Sequence, residues 1–365
     1  MKRFNFFVLP YRDMYFVDKY GPAVRDTQII AALAALENVE RVTVVNRPVS
    51  VYERAISKSL TKNLNRGKIH YIDKTSLDLI GPLSGRKWFS RCYDQLNKTD
   101  FYIDGCTNVI LDFLPIGGID YGSVRHDFVW YDFIDNFAKH NRFDQKEKDL
   151  VQKKYARVSR FADVITGVSP GSIQGYDSGI VLPNSPGISP TSRGAVTLDP
   201  SAADFGFIGF VTDKFDIDLV RSLTARRHSI IIHGEFYDKA VENSLRSLPG
   251  VTTTGMFQHR DIPKLMRTFK VGLIPYRTDR LHDESPLKLY QYLLHGRSVL
   301  TSAEYELSGS AVVSYHGKPV SDAADLAVSL LARSVTDDGM SDAVDMIDDS
   351  QFWIPKLQSL LERAL

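Results

Sequence analysis

The sequence predicts an α/β protein of two parallel-sheet domains, and three observations predict it. Short apolar, β-branched runs alternate with longer helical stretches, the pattern of a parallel sheet covered on both faces. Midway, a stretch dense in Pro, Gly and Ser interrupts the alternation, and beyond it the same alternation restarts. The 365 residues suit two domains at ~100–200 residues each.

The elements follow in order. Phe4–Leu9 reads as a buried first strand, Thr27–Leu36 as an Ala/Leu/Ile-rich helix and Val39–Val45 as a β-branched strand. Tyr102–Ile103, Val109–Leu114 and Phe128–Trp130 continue the strands. Gln145–Ala162 is a charged helix with Leu150, Val151, Tyr155, Val158 and Phe161 at helical spacing. Asp163–Val168 is the next strand. Between Leu182 and Gly194 stand three Pro, two Gly and three Ser, which continue neither element. The second half places strands at Phe205–Val211, His228–His233, Val251–Thr254, Val271–Pro275 and Ser298–Thr301, and helices at Asp216–Arg226, Asp261–Phe269 and Pro286–Leu294. We expect a first domain over residues 1–185, a linker over 186–199, a second domain over 200–345 and a terminal helical segment over 346–365.

Apolar content of 43% and charged content of 24% exclude a disordered or fibrous chain. Net charge is +1, from 45 Lys+Arg against 44 Asp+Glu, which argues against a dedicated nucleic-acid binder. Cys92 and Cys106 are too few for a disulfide framework and lack zinc-ligand spacing, so reduced thiols and a cytoplasmic protein are expected. The apolar start breaks at Asn5 and ends at Pro10, which fits a strand rather than a leader. The longest apolar run, Ile29–Leu36, is far below the ~18 residues of a spanning helix.

The neutral total hides two asymmetries. From Glu53 to Arg91 nine cations (Arg54, Lys58, Lys62, Arg66, Lys68, Lys74, Arg86, Lys87, Arg91) face three acids, and Asp337, Asp338, Asp342, Asp345, Asp348 and Asp349 form an acidic stretch. Both read as solvated surface, or the basic stretch as attraction to anionic lipid or a diphosphate-linked acceptor.

Ligands of parallel sheets bind outside the carboxyl ends of the strands, so polar and Gly residues just after strands are the candidates. In Ser285-Pro286-Leu287-Lys288-Leu289-Tyr290-Gln291-Tyr292, Ser285 is positioned to cap a helix starting at Pro286. The helix N-terminus suits a phosphate. Lys288 and Gln291, three apart, share one face, the first able to meet a phosphate and the second a ribose hydroxyl. The alternative is a capped surface helix with a solvated Lys.

This segment resembles the donor half of GT-B nucleotide-sugar glycosyltransferases, whose pattern is a strand ending in Pro, a variable loop, Ser-Pro-Leu-Lys-x-x-(Glu/Gln)-Tyr and a later Gly. Here these are Ile274-Pro275, Ser285 to Tyr292 and Gly296. Phe207-Ile208-Gly209-Phe210-Val211, Ile231 to Glu235, Val251 to Phe257, Leu182-Pro183-Asn184 and Phe352-Trp353 also match, so the similarity spans most of residues 100–365. The resemblance implies two Rossmann-like αβα domains facing each other across a cleft, with the terminal helix crossing back to the first domain. It implies a nucleotide-sugar donor, UDP-linked, held by Gly209, Phe210, Val211, Met256, Phe257, Tyr276, Arg277, Ser285, Leu287, Lys288 and Gln291.

Many retaining members carry two glutamates eight positions apart, where this chain has Asp283 and Gln291. Gln there is similar to the inverting, xanthan-type glucuronosyltransferases of bacterial exopolysaccharide assembly. Their general base ends a Tyr-x-x-x-Asp pattern; aligned on Tyr131 it falls on Asp135, with Asp132 the competitor. Either Asp also reads as a loop residue capping a turn. No Asp-x-Asp stands at a strand end, and the resemblance implies no metal or cofactor, so Lys288, the helix terminus and Arg277 would stabilise the leaving diphosphate. Tyr11-Arg12-Asp13 and Arg25-Asp26-Thr27-Gln28 read as surface loops or as facing the acceptor.

The resemblance implies a polyprenyl-diphosphate-linked glycan acceptor, surface or exopolysaccharide synthesis, and a cytoplasmic enzyme peripheral on the inner membrane face. Alternatives are a UDP-sugar 2-epimerase of the same fold and a catalytically inactive sugar-nucleotide-binding subunit. Product analysis with donor alone tests the first, and UDP binding without turnover the second.

Overall fold

The computed structural model describes residues 2–12, 14–50, 66–76, 93, 96, 99–190, 194–334 and 337–365. The chain forms two compact units. The first comprises Met1–Pro183, His282–Glu284 and Trp353–Leu365, and the second Asn184–Leu281 and Ser285–Phe352.

The first unit carries strands β1 (Phe4–Leu9), β2 (Val39–Val45), β3 (Val49–Ser50), β4 (Ile69–Ile72), β5 (Thr75–Ser76), β6 (Thr107–Asp112), β7 (Phe128–Phe133), β8 (Val164–Gly167) and β9 (Ile180–Val181). Seven form one parallel sheet in the order β4-β2-β1-β6-β7-β8-β9, while β3 pairs with β5 separately. All six residues of β1 are buried, as in a central strand covered on both faces. Helices Arg25–Ala35 and Trp353–Ala364 belong to this unit, and Trp353 donates through Nε1 to Gln28 Oε1 at 2.9 Å. The Gln145–Phe161 helix opens with a capping box in which Asp144 accepts from the Glu147 N–H and Glu147 accepts from the Asp144 N–H.

A buried pair pins the loop after β6. Lys154 Nζ lies 2.6 Å from Asp112 Oδ2 and donates to the Gly117 carbonyl at 2.9 Å, while Tyr121 donates to the same Asp112 oxygen at 2.8 Å. Burial pulls the Lys154 ammonium down from its ordinary value and Asp112 opposes the shift. Gly118 must be Gly: at φ +99° its Cβ would stand 2.9 Å from Lys154 Nζ.

The second unit carries β10 (Ala203–Ile208), β11 (Ile230–His233), β12 (Val251–Gly255), β13 (Phe269–Ile274), β14 (Ser298–Thr301) and β15 (Val312–Ser314). They form a parallel sheet in the order β12-β11-β10-β13-β14-β15. In both sheets strand order reverses beside the first strand, β1 against β6 and β10 against β13, and such reversals open a crevice at the strands' carboxyl ends.

Three expectations are corrected. Tyr102–Ile103 is not a strand, because buried Asn108 takes up its backbone: Ile103 N–H donates to Asn108 Oδ1 at 2.8 Å and Asn108 Nδ2 donates to the Ile103 carbonyl at 3.1 Å. The helix expected over Asp261–Phe269 is confined to Ile262–Leu265, since Phe269 already pairs with Ala203 in the sheet. Residues 186–199 do not stand apart from the second unit: Val196 N–H donates to the His295 carbonyl at 3.3 Å, and Asp199 N–H to that of Arg267 at 2.9 Å. Helices Lys239–Arg246 and Val320–Ser334 and strand β15 were not anticipated. Of the basic stretch, Arg66, Lys68 and Lys74 are described, and the other six cations, with Cys92, lie outside the described residues. No helix among the described residues is long and apolar enough to cross a membrane.

Candidate functional site

In the second unit the site is built around the reversal between β10 and β13. The Leu287–Leu294 helix is anchored there by Tyr292, whose buried hydroxyl accepts from Ile208 N–H at 3.0 Å and donates to the Leu273 carbonyl at 3.3 Å. This satisfies the last amide of β10 and fixes the helix so that Lys288 stands over the strand ends. Lys288 Nζ lies 4.7 Å from the Phe207 ring centroid and 4.8 Å from that of Tyr276, and it donates to the Tyr276 hydroxyl. Gly209, at φ +117°, takes a backbone conformation that other residues rarely adopt, and Lys288 packs beside it, with Cε 3.4 Å from where a Cβ would stand. Gly234 is required beside it, because its Cβ would fall 1.7 Å from the Gly209 carbonyl oxygen. His233, just before it, is buried between Thr254 and Thr268 hydroxyls at 2.7 and 2.8 Å, and burial pushes its pKa down to about 4.

The other donor candidates are placed as follows. Val211 is buried and its N–H donates to the Glu235 carbonyl at 3.0 Å, while Phe210 packs on Tyr237 with ring centroids 5.0 Å apart. Met256 is 52% exposed, and Phe257 packs against the core. Arg277 is an exposed partner of Asp279 at 3.1 Å, and with Asp216, Tyr315 and Lys318 it lines a cavity of about 640 Å³. Leu287 is half-buried. Ser285 does not cap the helix: its hydroxyl turns to the Glu306 carboxylate, and Pro286 occupies the N-cap without a side-chain bond. Gln291 is buried, and its Nε2 donates to the Pro186 carbonyl at 3.0 Å, so its amide nitrogen is used within the fold rather than presented beside Lys288.

In the first unit the two aspartates separate. Asp132 is fully buried in β7, paired bidentately to Arg25 with both contacts at 2.7 Å and bonded by the Thr166 hydroxyl. The ion pair removes it from solvent, which corrects its candidacy as a base. Arg25 in turn stacks on Trp353 at 4.9 Å. Arg25→Met leaves a buried carboxylate unpaired and is expected to cost about 3–5 kcal/mol. Arg25→Met/Asp132→Leu should recover most of it, and urea unfolding of the two variants checks this.

Asp135, in the loop after β7, keeps 25% of its side chain exposed, and its Oδ1 lies 2.7 Å from His282 Nδ1. Glu284 Oε2 is 3.3 Å from the same nitrogen. His282 and Glu284 are the residues that sequence reasoning missed. The available signal was a His followed by two acids in the loop between a strand end and the donor-type helix.

At the β1/β6 reversal a cavity of about 510 Å³ is lined by Tyr11, by apolar residues such as Leu114 and Ile116, by the cations Arg12, Lys19 and Arg47, and by one acid, Glu147. Asp26, which is buried, accepts from the Arg12 N–H at 2.7 Å and ties the loop after β1 to the Arg25–Ala35 helix; burial pushes its pKa up to about 6. Tyr11 packs on Phe137 at 5.2 Å, and Phe137 stacks on His140, which stacks on His282. An aromatic path therefore connects this cavity to Asp135.

No protein-family model matches the chain, and no curated protein matches it. Its fold is similar to that of AviGT4, a glycosyltransferase involved in avilamycin A biosynthesis, with TM-score 0.58 and 12% identity over 98% of this chain and 96% of that one. It is also similar to the N-terminal domain of Candida albicans trehalose-6-phosphate phosphatase, with TM-score 0.60 and 11% identity over 100% and 98% of the two chains. The fold is α/β of the GT-B class.

Proposed function

We propose that the protein is a glycosyltransferase that moves a sugar from a nucleotide-diphospho-sugar, UDP-linked, to an acceptor hydroxyl with inversion. The observation that carries this reading is Lys288, held at the β10/β13 reversal against Gly209 and Tyr276 at the first turn of a helix. A cation in the first turn of a helix at that crevice matches a diphosphate leaving group. The fold it shares with AviGT4 supports the same reaction class.

In the proposed mechanism Asp135 takes the hydroxyl proton as the acceptor oxygen attacks the anomeric carbon. The bond from that carbon to the diphosphate oxygen breaks, and Lys288 meets the developing charge. The remaining donor-binding assignments, Gly209 to Val211, Met256, Phe257, Tyr276, Arg277, Ser285, Leu287 and Gln291, belong to this reading, as does metal independence. So do an acceptor that is a lipid-diphosphate-linked oligosaccharide, a role in surface or exopolysaccharide synthesis, and attachment at the inner membrane face. Three cations against one acid in the lining of the 510 Å³ cavity favour an anionic acceptor.

A thermal-shift screen of UDP-, GDP-, ADP- and TDP-sugars tests the class. One nucleotide series should raise the melting temperature, because a ligand that binds only the folded state stabilises it by mass action. No shift with any nucleotide sugar at millimolar concentration would sink the reading.

A further inference from the structure

His282 lies nearly buried behind Asp135, with 5% of its side chain exposed against 25% for the aspartate. Two carboxylates, Asp135 at 2.7 Å and Glu284 at 3.3 Å, converge on its Nδ1. A bare nitrogen lone pair facing two carboxylates would be repelled, so the charge pattern assigns the hydrogen to Nδ1, which donates to Asp135 Oδ1 while the Glu284 carboxylate stands close by. The imidazole is held on its other side by His140, whose ring stacks on it at 4.7 Å and 26°.

The neighbouring residues hold the same loop. Asn136 N–H donates to the His282 carbonyl at 3.1 Å. Asp283, a non-glycine at φ +62°, directs its carboxylate to Asn136 Nδ2 at 2.8 Å and Lys139 Nζ at 2.8 Å. Ser169 Oγ donates to the Asp283 carbonyl at 2.7 Å, and Gly171 makes room, since a Cβ there would stand 2.6 Å from Asp283 Oδ1. His282 and Asp283 thus hold Asp135, Asn136 and Lys139 through side chains and backbone.

We propose that His282, backed by Glu284, is a positioning residue that orients the Asp135 carboxylate and directs its second oxygen toward the acceptor hydroxyl; this rests on the reading of Asp135 as the base. In the step, the proton of the acceptor passes to Asp135 while the Nδ1 hydrogen stays on His282. The histidine therefore acts on rate only through the aspartate.

The test uses the full chain and the nucleotide sugar selected by the thermal-shift screen, with water as acceptor, following release of the nucleoside diphosphate. His282→Leu should lower kcat about 30-fold with KM for the donor unchanged, part of the ~10²–10⁴-fold that a positioned base supplies. His282→Asn, whose amide nitrogen falls near the place of Nδ1, should recover most of it. In an Asp135→Asn background His282→Leu should cause no further loss, because coupled residues are not additive. A kcat within 3-fold of wild type for His282→Leu, equal loss in the Asn and Leu variants, or additive loss in the double variant overturns the proposal. So does stoichiometric binding of Mn²⁺ or Zn²⁺ that disappears in both Asp135→Asn and His282→Leu, since a metal would then occupy the carboxylate. If Asp135→Asn alone leaves the rate unchanged, the underlying reading of the base fails instead.

Discussion

Asp135→Asn is expected to lower turnover about 1000-fold, within the ~10²–10⁴-fold of a general base in place. Affinity for UDP should stay within about 2-fold, because the nucleotide is assigned to residues of the second unit. The substitution is nearly isosteric and retains an oxygen to accept from His282, so the loop geometry at 2.7 Å from Nδ1 is preserved while the proton acceptor is lost. Single-turnover product formation together with UDP titration calorimetry checks both halves. Loss of UDP affinity in parallel with rate would remove Asp135 from the role of base.

The second large effect is expected at Lys288. Lys288→Met keeps a chain of similar length against the Phe207 and Tyr276 rings but removes the charge. Losing one preorganised group aimed at developing charge costs roughly 10²–10³ in kcat, about 2.7–4 kcal/mol. UDP affinity should fall at least tenfold as well, because the ground-state diphosphate already carries the charge. Lys288→Arg should not restore the rate, since a broad planar guanidinium replaces a compact point charge. Calorimetry with UDP and with uridine separates the diphosphate contribution: the variant should bind uridine as wild type does and UDP no better than uridine.

Much of the fold was legible because local chemistry and burial agree. Phe4–Leu9, Val39–Val45 and Ser298–Thr301 are strands over the expected residues, each a short apolar or β-branched run whose pairing is parallel. The Gln145–Phe161 helix follows from its apolar spacing, and its start from Asp144 and Glu147. Elsewhere a side-chain partner overrode local preference. Tyr102–Ile103 gave its backbone to the Asn108 side chain instead of a neighbouring strand. Ser285, a good cap by residue type, turned its hydroxyl to Glu306, twenty-one residues away.

The candidate site divides the same way. Lys288 was legible because its motif is contiguous: a Pro-ended strand, a loop, a helix and a Gly. The difference between Asp132 and Asp135 was not, since both are loop-proximal acids three residues apart. Arg25, 107 positions away, pairs with the first in the interior, and His282, 147 positions away, meets the second, which keeps part of its side chain exposed. By itself the sequence determined the strand periodicity, the two-sheet architecture and the lysine at a helix start, because each depends on residues within one turn or one strand. Only the tertiary structure decided which aspartate is open and what holds it. Burial and hydrogen bonding between residues more than a hundred positions apart leave no periodic trace along the chain.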